Sequence, residues 1–189
     1  MKKPLLIISL LLSCLVVSAQ RYSSLVPDSA ITNFMKWLLK SDTAFKAVRD
    51  VDNDIRRLSM ENFAYPDSST VRDYRFTKSI FDPGNGLADW FTREDADYFT
   101  RQIVHQRDDK WRLSIKGIRL LDTVEMAGNR LKKVLYSYSL PLFSVDKKYV
   151  IIVEAFFCGL VCGGGEYSLY ERQADNSWKK IRQFNKWAE

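Results

Sequence analysis

Apolar residues fall at Ile31, Phe34, Met35, Leu38 and Leu39, the i, i+3, i+4, i+7, i+8 spacing that lines one face of an α-helix. Asp28 stands just before this run and is a residue type suited to cap it. A weaker helical stretch begins near Ser41 or Asp42 and turns Phe45 and Val48 inward. Val71, Tyr74, Phe76, Ile80 and Phe81 predict a strand within 71–81, ended by the turn cluster Asp82-Pro83-Gly84-Asn85-Gly86. Thr92 and Asp95 approximate a capping box, with Asp in place of the usual Glu, and open a helix to about Arg107 whose inward stripe is Ala96, Phe99 and Ile103.

From Lys110 onward the period changes to two. Short apolar runs alternate with turn signals at 126–129, 145–147, 158–165 and 175–177, which predicts a β-meander of about five strands. Connections this short force neighbouring strands to be antiparallel. The run Tyr149 to Phe157 is apolar on both faces except at Glu154, so it belongs in the centre of the sheet with a layer on each side. The expected class is α+β, with N-terminal helices packed on a C-terminal antiparallel meander. No repeat or long Pro/Gly/Ser linker divides the chain, and 20–189 reads as one globular domain.

The first nineteen residues read differently. Lys2 and Lys3 precede an apolar run from Leu5 to Val17, and Val17-Ser18-Ala19 resembles a signal-peptidase site before the polar flank that starts at Gln20. That run is too short for a membrane anchor. Leu11-Leu12-Ser13-Cys14 approximates a lipobox and keeps a lipoprotein acylated at Cys14 as the alternative, but Leu12 is bulky for it and the chain after Cys14 stays apolar. The expectation is export to the periplasm, the cell surface or the medium, with no stable membrane span after cleavage. With 29 basic and 23 acidic residues, and two of the basic ones in the leader, the remainder carries a formal charge of +4. That charge is modest and scattered, which argues against a nucleic-acid partner. Of three cysteines, Cys14 leaves with the leader, and the even pair Cys158 and Cys162 predicts a disulfide in an oxidising compartment.

Candidate chemistry is sparse. Cys158-Gly159-Leu160-Val161-Cys162-Gly163-Gly164-Gly165 links two strands, and Gly159, Gly163, Gly164 and Gly165 read as loop glycines. A phosphate loop would need Lys-Ser/Thr and a helix next, whereas Glu166 to Tyr170 continue as strand. Asp50, Asp52, Asp54 and Glu61 fall at the spacing of a calcium loop, but Ile55 occupies the position that needs glycine, so no metal is expected there. His105, the only histidine, lies with Tyr98, Arg101, Gln102 and Asp109 off the apolar stripe and reads as a surface residue. Five Trp, nine Tyr and eleven Phe could supply a sugar platform, but Trp37, Trp90, Trp111, Trp178 and Trp187 are dispersed along the chain.

Glu154 is the remaining candidate, as a structural acid or as a catalytic acid or base. If Phe143 faces Lys148 across the preceding turn, Glu154 falls opposite Ser137, and the two form a polar pocket in which burial raises the glutamate pKa. A slip of one residue would put an apolar or aromatic neighbour there instead.

The segment from Tyr149 through Trp187, with its C-G-x-x-C-G-G-G hairpin, Tyr167, Tyr170, Trp178 and Trp187, resembles the end of a group of uncharacterised secreted proteins from Bacteroidetes. That resemblance implies no activity. The order of helices followed by a curved meander is similar to the NTF2-like fold, and folds do not fix function. The expectation is therefore a non-catalytic exported domain that binds a protein or glycan, without a cofactor. A small carboxylate-dependent hydrolase is the alternative, favoured by a concave pocket with two carboxylates.

Overall fold

The structure is a computed structural model that describes residues 21–41, 49–58, 63, 80–81, 87–122, 134–158 and 162–188. Within these residues the chain is α+β: two helices and a seven-stranded mixed sheet. The leader, the helical stretch expected at 42–48, the strand expected at 71–79, the turn at 82–86, Glu61 and Gly159 lie outside the described residues.

Helix α1 (Asp28–Ser41) buries Ile31, Phe34, Met35, Leu38 and Leu39, the five residues of its apolar stripe. Asp28 does not act as its cap. It is the first helical residue, and its carboxylate accepts the backbone N–H groups of Arg21 and Tyr22 at 2.8 and 3.1 Å, tying the preceding segment to the helix. Helix α2 (Arg93–Val104) starts with the complete capping box: Thr92 Oγ1 accepts Asp95 N–H, and Asp95 accepts Thr92 N–H. Asp95 reaches further, because its Oδ1 accepts Val145 N–H at 3.0 Å and so fixes the helix start to a turn of the sheet. The helix ends at Val104 rather than near Arg107, with His105 exposed at its C-cap.

The strands are β1 (Arg49–Asp52), β2 (Ile118–Leu121), β3 (Leu135–Tyr138), β4 (Leu142–Phe143), β5 (Tyr149–Phe157), β6 (Gly163–Arg172) and β7 (Trp178–Ala188). They run in the order β2-β1-β3-β5-β6-β7, with β4 also paired to β5. The expected antiparallel meander of about five strands is thus replaced by a mixed sheet of seven. Six strands follow Lys110, and the seventh, β1, comes from before it and is parallel to both β2 and β3. Arg-Asp-Val-Asp carries a single apolar residue, so periodicity does not reveal it. Asp50, only 6% exposed, sits directly across from Arg119 and takes a bidentate ion pair at 2.8 and 2.7 Å. Of the acidic residues at calcium-loop spacing, Asp50 and Asp52 therefore lie in a strand. Among the described residues, no group of three or more His, Cys, Asp and Glu side chains gathers as a metal site would.

Strand β5 carries hydrophobic residues on both faces. Val150 and Ile152 join Phe34, Leu38 and Tyr170 in one cluster, where the Phe34 ring meets those of Phe143, Tyr170 and Trp178 at 6.2, 5.5 and 5.2 Å. Ile151 and Val153 join Phe99, Leu169 and Phe184 in the other. Two-sided burial of this kind explains a nearly continuous apolar run.

The register between β3, β4 and β5 differs from the expected one. Phe143 pairs with Val150, and Glu154 pairs with Tyr138 instead of Ser137, which faces Ala155. Two local causes combine. The β4–β5 turn spans 145–148, with Lys147 at φ 59° and Ser144 N–H bonded to the Tyr149 carbonyl. Then Ser139-Leu140-Pro141 breaks β3 from β4: proline has no N–H for the ladder, and the Ser139 hydroxyl accepts Val153 N–H in a side-chain substitute for a strand bond.

Candidate functional site

Glu154 leaves Ser137 but gains a richer setting. On β5 it shares a face with Ile152 and Phe156, and pairing to β3 and β6 sets Tyr138 on one side and Glu166 on the other. Tyr136, directly opposite Phe156, extends the same face. These residues line a concave pocket of about 600 Å³ together with Ala155, Gly165, Lys186, Trp187 and Ala188. The wall is largely aromatic and the polar groups are few, the usual make-up of a ligand site.

Two like charges directly across a strand pair oppose folding unless compensated. Lys180 compensates them: its Nζ lies 2.9 Å from Glu154 Oε1 and 3.3 Å from Glu166 Oε1, and 5.4 Å from the centre of the Tyr170 ring. One shared ammonium holds the two carboxylate oxygens within about 6 Å of each other. The Tyr170 hydroxyl also donates to Glu154 Oε1 at 2.8 Å. Burial first, and the Glu154 charge second, push the Tyr170 phenol far above its ordinary range, so it is a fixed hydrogen-bond donor. Glu166 accepts in addition from Gln183 and from Ser168, and Lys186 lies 3.6 Å from its Oε2. Glu154 is thus a partly exposed, ion-paired residue, and the desolvated acid facing Ser137 is not formed.

Glycines 163–165 belong to a strand, not a loop, and Gly165 lines the pocket. Gly163, Gly164 and Gly165 are the first residues of β6. A Cβ on Gly164 would stand 3.2 Å from the Phe156 ring, and one on Gly165 would enter the Trp187 indole and lie 2.8 Å from the Glu154 carbonyl oxygen. The absence of side chains here is a matter of space, since positive φ among the described glycines occurs at Gly117 alone. The Arg56 guanidinium lies over the Trp187 ring at 5.1 Å. Just beyond the pocket, Cys158 and Cys162 form the disulfide that closes the β5–β6 hairpin, with Cα atoms 5.0 Å apart and a Cys158 N–H to Cys162 carbonyl bond of 2.8 Å.

Sequence reasoning found Glu154, the two cysteines and the glycines but missed Glu166, Lys180, Lys186, Tyr136, Tyr138 and the role of Phe156. One signal was available: a disulfide-closed hairpin pairs Phe157 with Gly163, and counting back along both strands places Glu154 opposite Glu166. Lys180 stands opposite Tyr170, and its reach to Glu166 and Glu154, past a change of register between Leu169 and Tyr170, is not given by counting. No protein-family model, curated protein or solved structure matches this chain.

Proposed function

We propose that this protein is an exported, non-catalytic domain that binds a protein or glycan partner through the pocket between Tyr138, Glu154, Phe156 and Glu166. The observation that carries the reading is Lys180. A pocket with two carboxylates meets the criterion for a hydrolase, but acid and base catalysis needs two groups whose surroundings set them apart. Here both carboxylates are tied to one ammonium. What the arrangement does supply is fixed polar groups on an aromatic wall, which is the equipment for recognition. Export is supported by the charged start, short apolar run and small-residue site of the leader, and the Cys158–Cys162 bridge is at home in an oxidising compartment.

The second reading, a carboxylate-dependent glycoside hydrolase, draws on the spacing of Glu154 and Glu166. Their approach lies below the roughly 6.5–9.5 Å that admits a water in an inverting enzyme, so such an enzyme would be of the retaining kind. One pair of assays decides. A fragment library screened by NMR against the mature domain should shift amides of Glu154, Phe156 and Glu166, while chromogenic glycosides and esters remain uncleaved. Cleavage that disappears in both Glu154→Gln and Glu166→Gln would replace the binding reading with the hydrolase, and a pocket that no fragment perturbs would remove both.

A further inference from the structure

Resting on the reading that this pocket is a binding site, we infer that its ligand is an uncharged saccharide, stacked on Phe156 and held through its hydroxyls by Glu154, Glu166 and Lys186.

Charge balance is the first ground. The pocket face sets two carboxylates against the ammonium groups of Lys180 and Lys186. A charged ligand group entering here would compete with an ion pair already made, and the group it displaced would be left without its partner. An uncharged ligand leaves all four groups in place.

Unused hydrogen-bonding capacity is the second. Both bonds to the Glu154 carboxylate land on Oε1, and its Oε2 has no partner among the described residues. Glu166 Oε2 has only the Lys186 ammonium at 3.6 Å. Each carboxylate oxygen can accept two bonds, and an ammonium has three N–H donors. Acceptors beside a donor on one wall complement neighbouring hydroxyls, each of which both donates and accepts.

Phe156 is the third. It is 40% exposed, and its ring meets no other ring and no cation among the described residues. Gly164, directly opposite, lacks the Cβ that would stand 3.2 Å from its ring. Residues i and i+2 of a strand point to the same side about 7 Å apart, so the apolar platform and the Glu154 carboxylate stand one small ring apart. Apolar stacking below and hydroxyl recognition at the edge suit a pyranose, which has an apolar face and a polar rim.

The test is titration of the full mature domain, followed by NMR of backbone amides and by calorimetry. The probes are neutral gluco-, galacto-, manno- and xylo-configured trisaccharides, an oligouronate, and one acidic and one basic peptide. At least one neutral trisaccharide should shift the amides of Glu154, Phe156, Glu166 and Lys186, and Phe156→Ala should weaken its binding about tenfold. Phe156→Leu, which keeps apolar volume and removes the ring, guards against loss of fold and should show most of the same loss. Binding of only the oligouronate or a peptide at these amides would overturn the saccharide inference and leave the pocket a binding site. No response to any neutral trisaccharide at millimolar concentration, or a response elsewhere on the domain, would overturn it as well.

Discussion

Gln102 takes the place of a strand beside Phe143. Its Nε2 donates to the Phe143 carbonyl at 2.7 Å and its Oε1 accepts the Phe143 N–H at 3.0 Å, so one side chain satisfies both backbone groups on the side of β4 away from β5. The glutamine is 1% exposed although its neighbours on that helix face, Tyr98, Arg101 and His105, are not buried. Removing the carboxamide leaves a buried donor and a buried acceptor unpaired. Gln102→Ala should lower stability by about 2–3 kcal/mol in chemical denaturation, and Gln102→Leu, which restores volume, should recover little of it.

Gly165 is required by the Trp187 ring and by the Glu154 carbonyl oxygen, 2.8 Å from where a Cβ would stand. Gly165→Ala should cost about 1–3 kcal/mol and shift tryptophan emission to longer wavelength as the indole is expelled. Adding Trp187→Ala should relieve part of the loss, leaving the clash with the carbonyl. An unchanged emission spectrum in the single variant would contradict this placement.

Asp146 ties the β4–β5 turn, accepting from the Ser144 hydroxyl at 2.6 Å and from Lys148 N–H at 2.9 Å. Burial opposes its charge, but these bonds together with the Lys148 charge prevail, and its carboxyl lies below the ordinary aspartate range. A carboxyl depressed by folding adds stability above its unfolded pKa of about 3.9 and loses it as pH falls through the folded value. Melting temperature should therefore drop as pH is lowered below about 4, and the drop should be smaller in Asp146→Asn.

Tyr170 is displaced in the opposite direction, held protonated by burial and by the neighbouring Glu154 charge. A raised pKa contributes stability that is full below the unfolded value of about 10 and is lost as pH rises toward the folded one. In an ultraviolet titration, the number of tyrosines ionising before the fold is lost should be the same in the parent protein and in Tyr170→Phe. One fewer in the variant would show that Tyr170 titrates freely and that its bond to Glu154 is absent in solution.

Material secreted by a bacterial host should begin at Gln20, with an intact mass lower by the two hydrogens lost in forming the Cys158–Cys162 bridge. A mass matching an acylated Cys14 would establish the lipoprotein alternative. So short a loop stabilises by roughly 2 kcal/mol on the chain-entropy account, so the Cys158→Ser/Cys162→Ser protein should still fold, with a modest fall in melting temperature.

Local features are legible along the chain. Ile31 through Leu39 announce the buried face of α1 because an α-helix repeats on itself, and Thr92 with Asp95 announces the start of α2 because a capping box closes within four residues. The cysteine spacing likewise revealed the β5–β6 hairpin, since its partners are adjacent in the chain. Features that depend on distant partners come from the folded sheet. Strand β1 exists because Asp50 meets Arg119, 69 residues away, and its own four residues carry no pattern that says so. Glu154 faces Tyr138 rather than Ser137 because Pro141 and the left-handed Lys147 shift the ladder, and a period of two turns any such shift into a change of neighbours. Lys180 stands opposite Tyr170 and reaches both glutamates past a change of register between Leu169 and Tyr170, so the charge balance that gives the pocket its character was fixed by the folded sheet.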